Sequence, residues 1–303
     1  MRALVVELAQ RALTVTVTVT ATATVVASGS TLLAQPTPWT DAPAGDWIQL
    51  FDGESLEGWT PKIRGRQLGD DPLRTFRVDD GKLVVRYDGY DAFDERFGHL
   101  FWREPRSHYV IAVEVRFVGA QLPDAPAWAR MNSGVMVHSQ SPESMLRDQD
   151  FPISIEAQLL AGDAGERRPT ANLCTPGTHV ERDGELVVQH CVESSSRTVA
   201  PGEWARVEIV VLGNERIEHR VDGDVVLTYQ RPQVGGGVVA GFDPAVKEDG
   251  QMLGDGWIAL QSESHPIELR RVELLELRGC TDPSSSSYRP YYLASEASAC
   301  VPP

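Results

Sequence analysis

The chain has 303 residues, with 28 Lys and Arg against 43 Asp and Glu, a net charge of −15 and four cysteines. So acidic a balance disfavours nucleic acid and anionic membrane surfaces, which repel it, and leaves open a neutral partner such as a sugar. The length suits one large domain with a sizeable core.

In chain order, Arg2 and Arg11 accompany an uncharged Ala, Val, Thr and Leu stretch over 12–33, and Leu32-Leu33-Ala34 ends on a small residue. This pattern reads as an export signal over 1–34, cleaved to leave a secreted or periplasmic protein with no membrane partner. The alternating Val and Thr of 14–20 also fit a strand or an anchor, although Thr makes the stretch weakly apolar for a span. Residues 35–45 carry three prolines and read as a linker, with the body beginning at 46–47.

The body reads as short strands: 82–87, 109–118, 133–139, 152–160, 185–190, 205–212, 215–221, 224–229, 256–262 and 267–277. Asp80-Gly81, Asp183-Gly184, Gly213-Asn214 and Asp222-Gly223 are turn pairs that tolerate positive φ and should close hairpins. No stretch sustains a 3.6-residue period. The expected fold is therefore all-β, a two-sheet antiparallel β-sandwich, interrupted by long loops at 61–74, 119–131, 140–151, 161–178 and 231–255. Loops of this length tend to be functional and could wall a cleft over one sheet.

After Gly279 the composition shifts to Thr, Asp, Pro and four serines and ends near Cys300, which reads as a small disulfide-closed tail over 279–303. The simplest of three pairings joins Cys174 to Cys191 and Cys280 to Cys300. A metal site from Cys174, His179, His190 and Cys191 is the rival, with no tight Cys-x-x-Cys pair behind it.

Several ordered segments carry a resemblance: WIQLFDGESLEGW (47–59), FRVDDGKLVV (76–85), NSGVMVH (132–138), SIEAQLL (154–160), PGEWARVEIVVLGNERIEHRVDGDVV (201–226) and IALQSESHPIELRRVELLEL (258–277). Together they resemble the 3-keto-disaccharide hydrolase family over most of 46–278. The resemblance implies a concanavalin-like jelly roll with a carbohydrate site on its concave sheet, and cleavage of glycosides already oxidised to a ketone at C3. The family commonly has Arg where His138 stands, and often a His near Glu263, where this chain has Glu263 and then His265. The Cys174–Cys191 insertion and the Cys280–Cys300 tail suggest a subgroup whose substrate differs.

Strand alternation puts Asn132, Gly134, Met136 and His138 on one face and Val135 and Val137 on the other. Glu156 and Gln158 likewise share a face opposite Ile155, Ala157 and Leu159. Gln261, Glu263 and His265 share parity until Pro266, which should bend the strand before Glu268 and Arg270. The bland account is a half-exposed sheet with a solvated polar face, on which Arg270 merely pairs with a neighbouring carboxylate.

A ketone at C3 acidifies the C2 proton, so cleavage needs a base, a positive group or metal at the enolate oxygen, and an acid for the leaving oxygen. Glu156 is the first choice for base or metal ligand. His138 and His265 could hold a divalent cation or move protons, with Glu156 and His138 as the metal pair, and Arg270 could stabilise negative charge. Asn132, Gln158, Gln261, Glu263, His99 and Trp102 are the substrate-binding candidates; His219 reads as a hairpin residue. Direct hydrolysis needs a second carboxylate, which Gln158 does not supply, so Glu263 or Glu268 would have to come from another strand. A non-catalytic sugar-binding module would instead use Trp102, Trp128 or Trp257 as stacking platforms.

Overall fold

The computed structural model describes residues 38–302; the expected export signal and the start of the linker lie outside the described residues. No α-helix occurs among them, and the short helical turns are all of the 3-10 type. Among the described residues no helix is long and apolar enough to cross a membrane.

Two large antiparallel sheets make up the body. The ten-stranded sheet runs Glu185–Val187, Thr178–Arg182, Asp224–Val234, Arg216–Val221, Ala205–Leu212, His108–Phe117, Ile267–Glu276, Lys82–Val85 and Phe76–Asp79, with Ile48–Gln49 also paired to Ile267–Glu276. The seven-stranded sheet runs Cys191–Val192, Asn172–Cys174, Ile155–Leu160, Asn132–Ser139, Trp257–Ser262, Gly98–Trp102 and Trp59–Ile63. The chain passes repeatedly from one sheet to the other, as in a jelly roll. Asp80-Gly81, Asp183-Gly184 and Asp222-Gly223 close two-residue hairpins with both central residues at positive φ, which matches the strand twist. At 213–215 only Gly213 is left-handed, because Leu212 pairs with Arg216 across a longer loop.

Alternating residues of both sheets meet in one core. Val135, Val137, Ile155, Ala157 and Leu260 face Ile111, Val113, Val207, Ile209 and Leu269, all essentially inaccessible. Each such aliphatic side chain contributes about 1.5–3 kcal/mol on burial, which fixes the register, since a one-residue slip would turn the apolar face outward. The opposite parity of the seven-stranded sheet is left to carry polar groups.

Two sequence expectations are corrected. Residues 38–45 are not a free linker: Trp39 is buried with Val110, Val210, Leu275 and Tyr291 against the ten-stranded sheet. The supposed loops at 61–74 and 161–178 contain strand, in Trp59–Ile63 and Asn172–Cys174, and Gly98–Trp102 is a further strand that alternation did not announce because all five residues are buried. The tail docks on the body, with Arg278–Gly279 pairing in parallel with Ala294–Ser295 and Tyr291 donating to Asp46 at 2.6 Å. Both disulfides form in the local pairing, Cys174–Cys191 and Cys280–Cys300.

Candidate active site

The polar parity of the seven-stranded sheet gathers on its outer face. Glu156 lies opposite Met136, Gln158 opposite Gly134, and Gln261 opposite His99, so side chains from four strands share one surface. Gly134 is the hinge of this arrangement: a Cβ there would stand 2.4 Å from Glu156 Oε1 and 2.8 Å from its Cγ. The missing side chain lets Glu156 lie flat across the neighbouring strand. There it enters a hollow of about 340 Å³ lined by Asn132, Gln158, Glu263, Trp128, Phe151 and His190, among others.

Glu156 and Glu263 are the chemical centre. They are 6% and 3% exposed, and no Lys or Arg lines the hollow. Burial pushes the Glu156 carboxyl up to about 8. Glu263 is held well above the usual carboxylate range, first by burial and then by the charge of Glu156. Near neutrality both acids therefore keep their protons, and as pH rises Glu156 ionises first, near 8, which leaves Glu263 holding the one proton of the pair. Around it lie unsatisfied groups: Glu263 Oε2, Asn132 Oδ1 and both polar atoms of the Gln261 amide have no partner among the described residues. A natural protein leaves buried polar atoms unmet chiefly where a ligand or water meets them. Gln158 is held by Asn172 Nδ2, which donates to its Oε1 at 3.2 Å.

The walls are aromatic. Trp128, 55% exposed, stacks on Phe97 at 6.1 Å, and Phe97 in turn meets Phe151 at 4.7 Å. His99 lies beneath Phe151, wholly buried, with neither ring nitrogen partnered. Burial and the nearby Lys62 charge depress it to about 3, so it stays neutral. The far end of the face is closed by Phe101, Met136, Met145 and Ala259, with Trp257 packed on them.

Four expected site residues are elsewhere. His138 is the extra residue of a bulge between Trp257 and Ala259, at φ 48°, and its Nε2 meets the Gly213 carbonyl of the opposite sheet at 2.9 Å. The bulge breaks alternation, so His138 leaves the face of Asn132 and cannot pair with Glu156 as a metal ligand. His265 is turned away by Ser264, left-handed at φ 83°, two residues before the bend expected at Pro266; it packs beside Phe117 at 5.7 Å. Burial, then the charges of Arg130 and Arg168, depress it to about 4. Arg270 lies on the outer face of the other sheet, bonded to Glu114 and over the Trp204 ring. Trp102 is a core residue, edge-on to Trp59 at 5.1 Å. The expected outcome is that Arg270→Ala costs at most about 1 kcal/mol of stability, read from a thermal melt.

His190 and the Cys174–Cys191 cystine are what the sequence reading left outside the site. Cys174 pairs directly with both Glu156 and Cys191, so the disulfide forms part of the wall. The rival metal-site reading falls with it: among the described residues the one group of three or more His, Cys, Asp or Glu side chains close enough to share an ion is Cys174, His190 and Cys191, and its sulfurs are oxidised.

The family model of the 3-keto-alpha-glucoside-1,2-lyase-like domain matches residues 46–275. The chain belongs to this family. Among solved structures, this member is similar to a Parabacteroides distasonis protein provisionally assigned as a glycosyl hydrolase, at 17% identity over 78% of this chain and 97% of that one, TM-score 0.45. It is also similar to the carbohydrate-binding module CBM66 of Bacillus subtilis, at 10% identity over 72% and 96%, TM-score 0.43. No curated protein matches. The 3-keto-alpha-glucoside-1,2-lyase-like domain thus has its carbohydrate-directed family fixed by sequence, and its acids placed by the β-sandwich.

Proposed function

We propose that the protein cleaves 3-keto-glycosides by elimination, with Glu156 and Glu263 as the working pair. The observation that carries this is the buried pair itself: two carboxyls with raised proton affinity, Glu156 the first to ionise, in a hollow that no Lys or Arg lines. Ionised Glu156 takes the C2 proton of the keto-sugar, the electrons form the enolate, and the C1–oxygen bond breaks as Glu263 gives its proton to the departing oxygen. The pair begins and ends with one proton, so an internal exchange resets it. Water then adds at C1 of the unsaturated ketone. The Asn132 and Gln158 amides line the same hollow and can donate to the enolate oxygen, and Trp128 offers a face for the pyranose ring.

A divalent cation suits this donor set. Glu156, Glu263 and Asn132 Oδ1 are oxygen donors of the kind hard cations take, and two raised carboxyls with no counter-charge would ionise around one; with the ion bound, water in place of Glu263 would protonate the leaving oxygen. Bound there, such an ion would supply Lewis-acid polarisation of the ketone.

The test is release of 4-nitrophenol from its 3-keto-α-glucoside and from the unoxidised parent, with and without chelator. Release from the ketone alone supports elimination. Equal release from the parent would replace it with two-carboxylate hydrolysis, for which Glu263 supplies the second acid that the Glu156 strand lacks. Saturable binding without release would leave a sugar-binding module. The pH profile is a second check: kcat/KM should rise on its acid side with an apparent pKa near 8, where Glu156 ionises, and not near the usual carboxylate value.

An exported location is part of the same reading. It rests on the N-terminal sequence and on two disulfides, which persist in oxidising compartments.

A further inference from the structure

A second hollow lies on the opposite side of the molecule, against the outer face of the ten-stranded sheet. It encloses about 520 Å³, and the segment around Trp39 to Gln49 forms one wall while Arg206, Arg220 and Arg271 rise from the sheet. The catalytic proposal uses none of these residues.

The charges here balance except at one position. Arg206 donates to Glu208 at 2.9 Å and to Glu273 at 2.8 Å, and Gln49 donates to Glu273 at 3.0 Å. Arg270 and Arg271 lean on Glu114. Arg220 is left over. It is 8% exposed, and its Nε and Nη1 have no hydrogen-bond partner among the described residues. Its cross-strand neighbour Glu208 gives its carboxylate to Arg206 instead. An unpaired guanidinium buried this far is costly, and folds keep such a group where a counter-charge arrives from outside.

The rest of the lining says what arrives. The indole N–H of Trp39 is a second buried donor without a partner. Both orphaned groups here only donate, whereas the orphans of the first hollow are chiefly acceptors. Two indoles border the space, with the Arg206 guanidinium 5.6 Å from the Trp47 ring, so the wall is flat and partly apolar as well as cationic. We infer that this hollow is a second binding site, for a carboxylate carried on a six-membered ring whose face can stack on indole, with Arg220 as its anchor. Guanidinium and carboxylate match as two parallel hydrogen bonds, and a ring beside the carboxylate would lie along the indoles.

Tryptophan fluorescence and calorimetry on the full folded protein test this. Glucuronate and benzoate carry the carboxylate on a sugar ring and an aromatic ring; glucose lacks the charge and acetate lacks the ring. The expected result is saturable binding of at least one ring carboxylate, with glucose and acetate about tenfold weaker or more, and a fall in affinity with added salt. The preferred ring then identifies the source. Arg220→Gln should weaken that binding about tenfold or more, as loss of a charged hydrogen bond predicts, and leave cleavage of the keto-glycoside unchanged. Arg220→Met should abolish binding while raising the thermal midpoint, because it removes an unpaired buried charge. No saturation by either ring carboxylate, equal binding of glucose, or unaltered binding in Arg220→Gln would each overturn the assignment. So would a lowered midpoint in Arg220→Met, which would make Arg220 a structural residue.

Discussion

Glu156→Gln is expected to lower the rate of keto-glycoside cleavage by about 10²–10⁴-fold, the range that a positioned general base contributes. The amide keeps the shape and cannot take the C2 proton. Binding of the keto-sugar should survive, so the loss belongs in kcat and not in KM. The same substitution has an opposite effect on stability. With the Glu156 carboxyl raised from its ordinary value near 4.5 to about 8 in the folded protein, the folded state binds the proton more tightly than the unfolded chain. Its contribution is therefore fully present below pH 4.5 and is lost as pH rises through 8. The wild-type thermal midpoint should fall across that window, and Glu156→Gln should flatten the fall and melt several degrees higher at pH 8. A variant as active as the wild type would sink the elimination scheme. One that is inactive but equally pH-sensitive would move the raised pKa to another group.

The second large effect comes from a residue that cannot itself do chemistry. Gly134→Ala places a methyl group 2.4 Å from Glu156 Oε1, far inside contact distance, with the carboxylate and its Cγ as the atoms that must move. Displacing a catalytic group by about 1 Å costs on the order of 10²-fold in rate, so activity should fall to near that level although Glu156 is intact. Gly134 lies in the middle of a wholly buried strand, so its backbone is held in place and the side chain must yield. Wild-type cleavage by Gly134→Ala would show that Glu156 acts from a different rotamer. A crystal structure of the variant would show where the carboxylate goes.

How much of this was legible beforehand depends on the range over which each feature is decided. Strand alternation is local, and it put Glu156 and Gln158 together and Val135 and Val137 in the core, where they are. The Asp-Gly turns are equally local, since two successive residues at positive φ match the twist of the two strands they join. His138, with regular strand on either side, looked like a partner of Asn132. One unpaired residue in the bulge opposite Ile258 reversed its direction, and a bulge is a property of two strands that one strand's sequence does not contain. His265 was misplaced for a similar reason, because Ser264 turns left-handed where its N–H donates to the Tyr87 hydroxyl, 177 positions away in sequence.

The all-β class, the hairpins, the apolar faces and the family were thus readable from the chain alone, whereas the local disulfide pairing was the simplest of three that the chain allowed. The first four follow from spacing along one segment or from ordered motifs. Folding in three dimensions was needed to bring Glu263 to Glu156, to send Arg270 and Trp102 elsewhere, and to wall a second hollow beside Arg220 with Trp39 to Gln49. Those outcomes depend on which strands become neighbours in two sheets that the chain enters and leaves many times, and such long-range pairings carry no short-range mark.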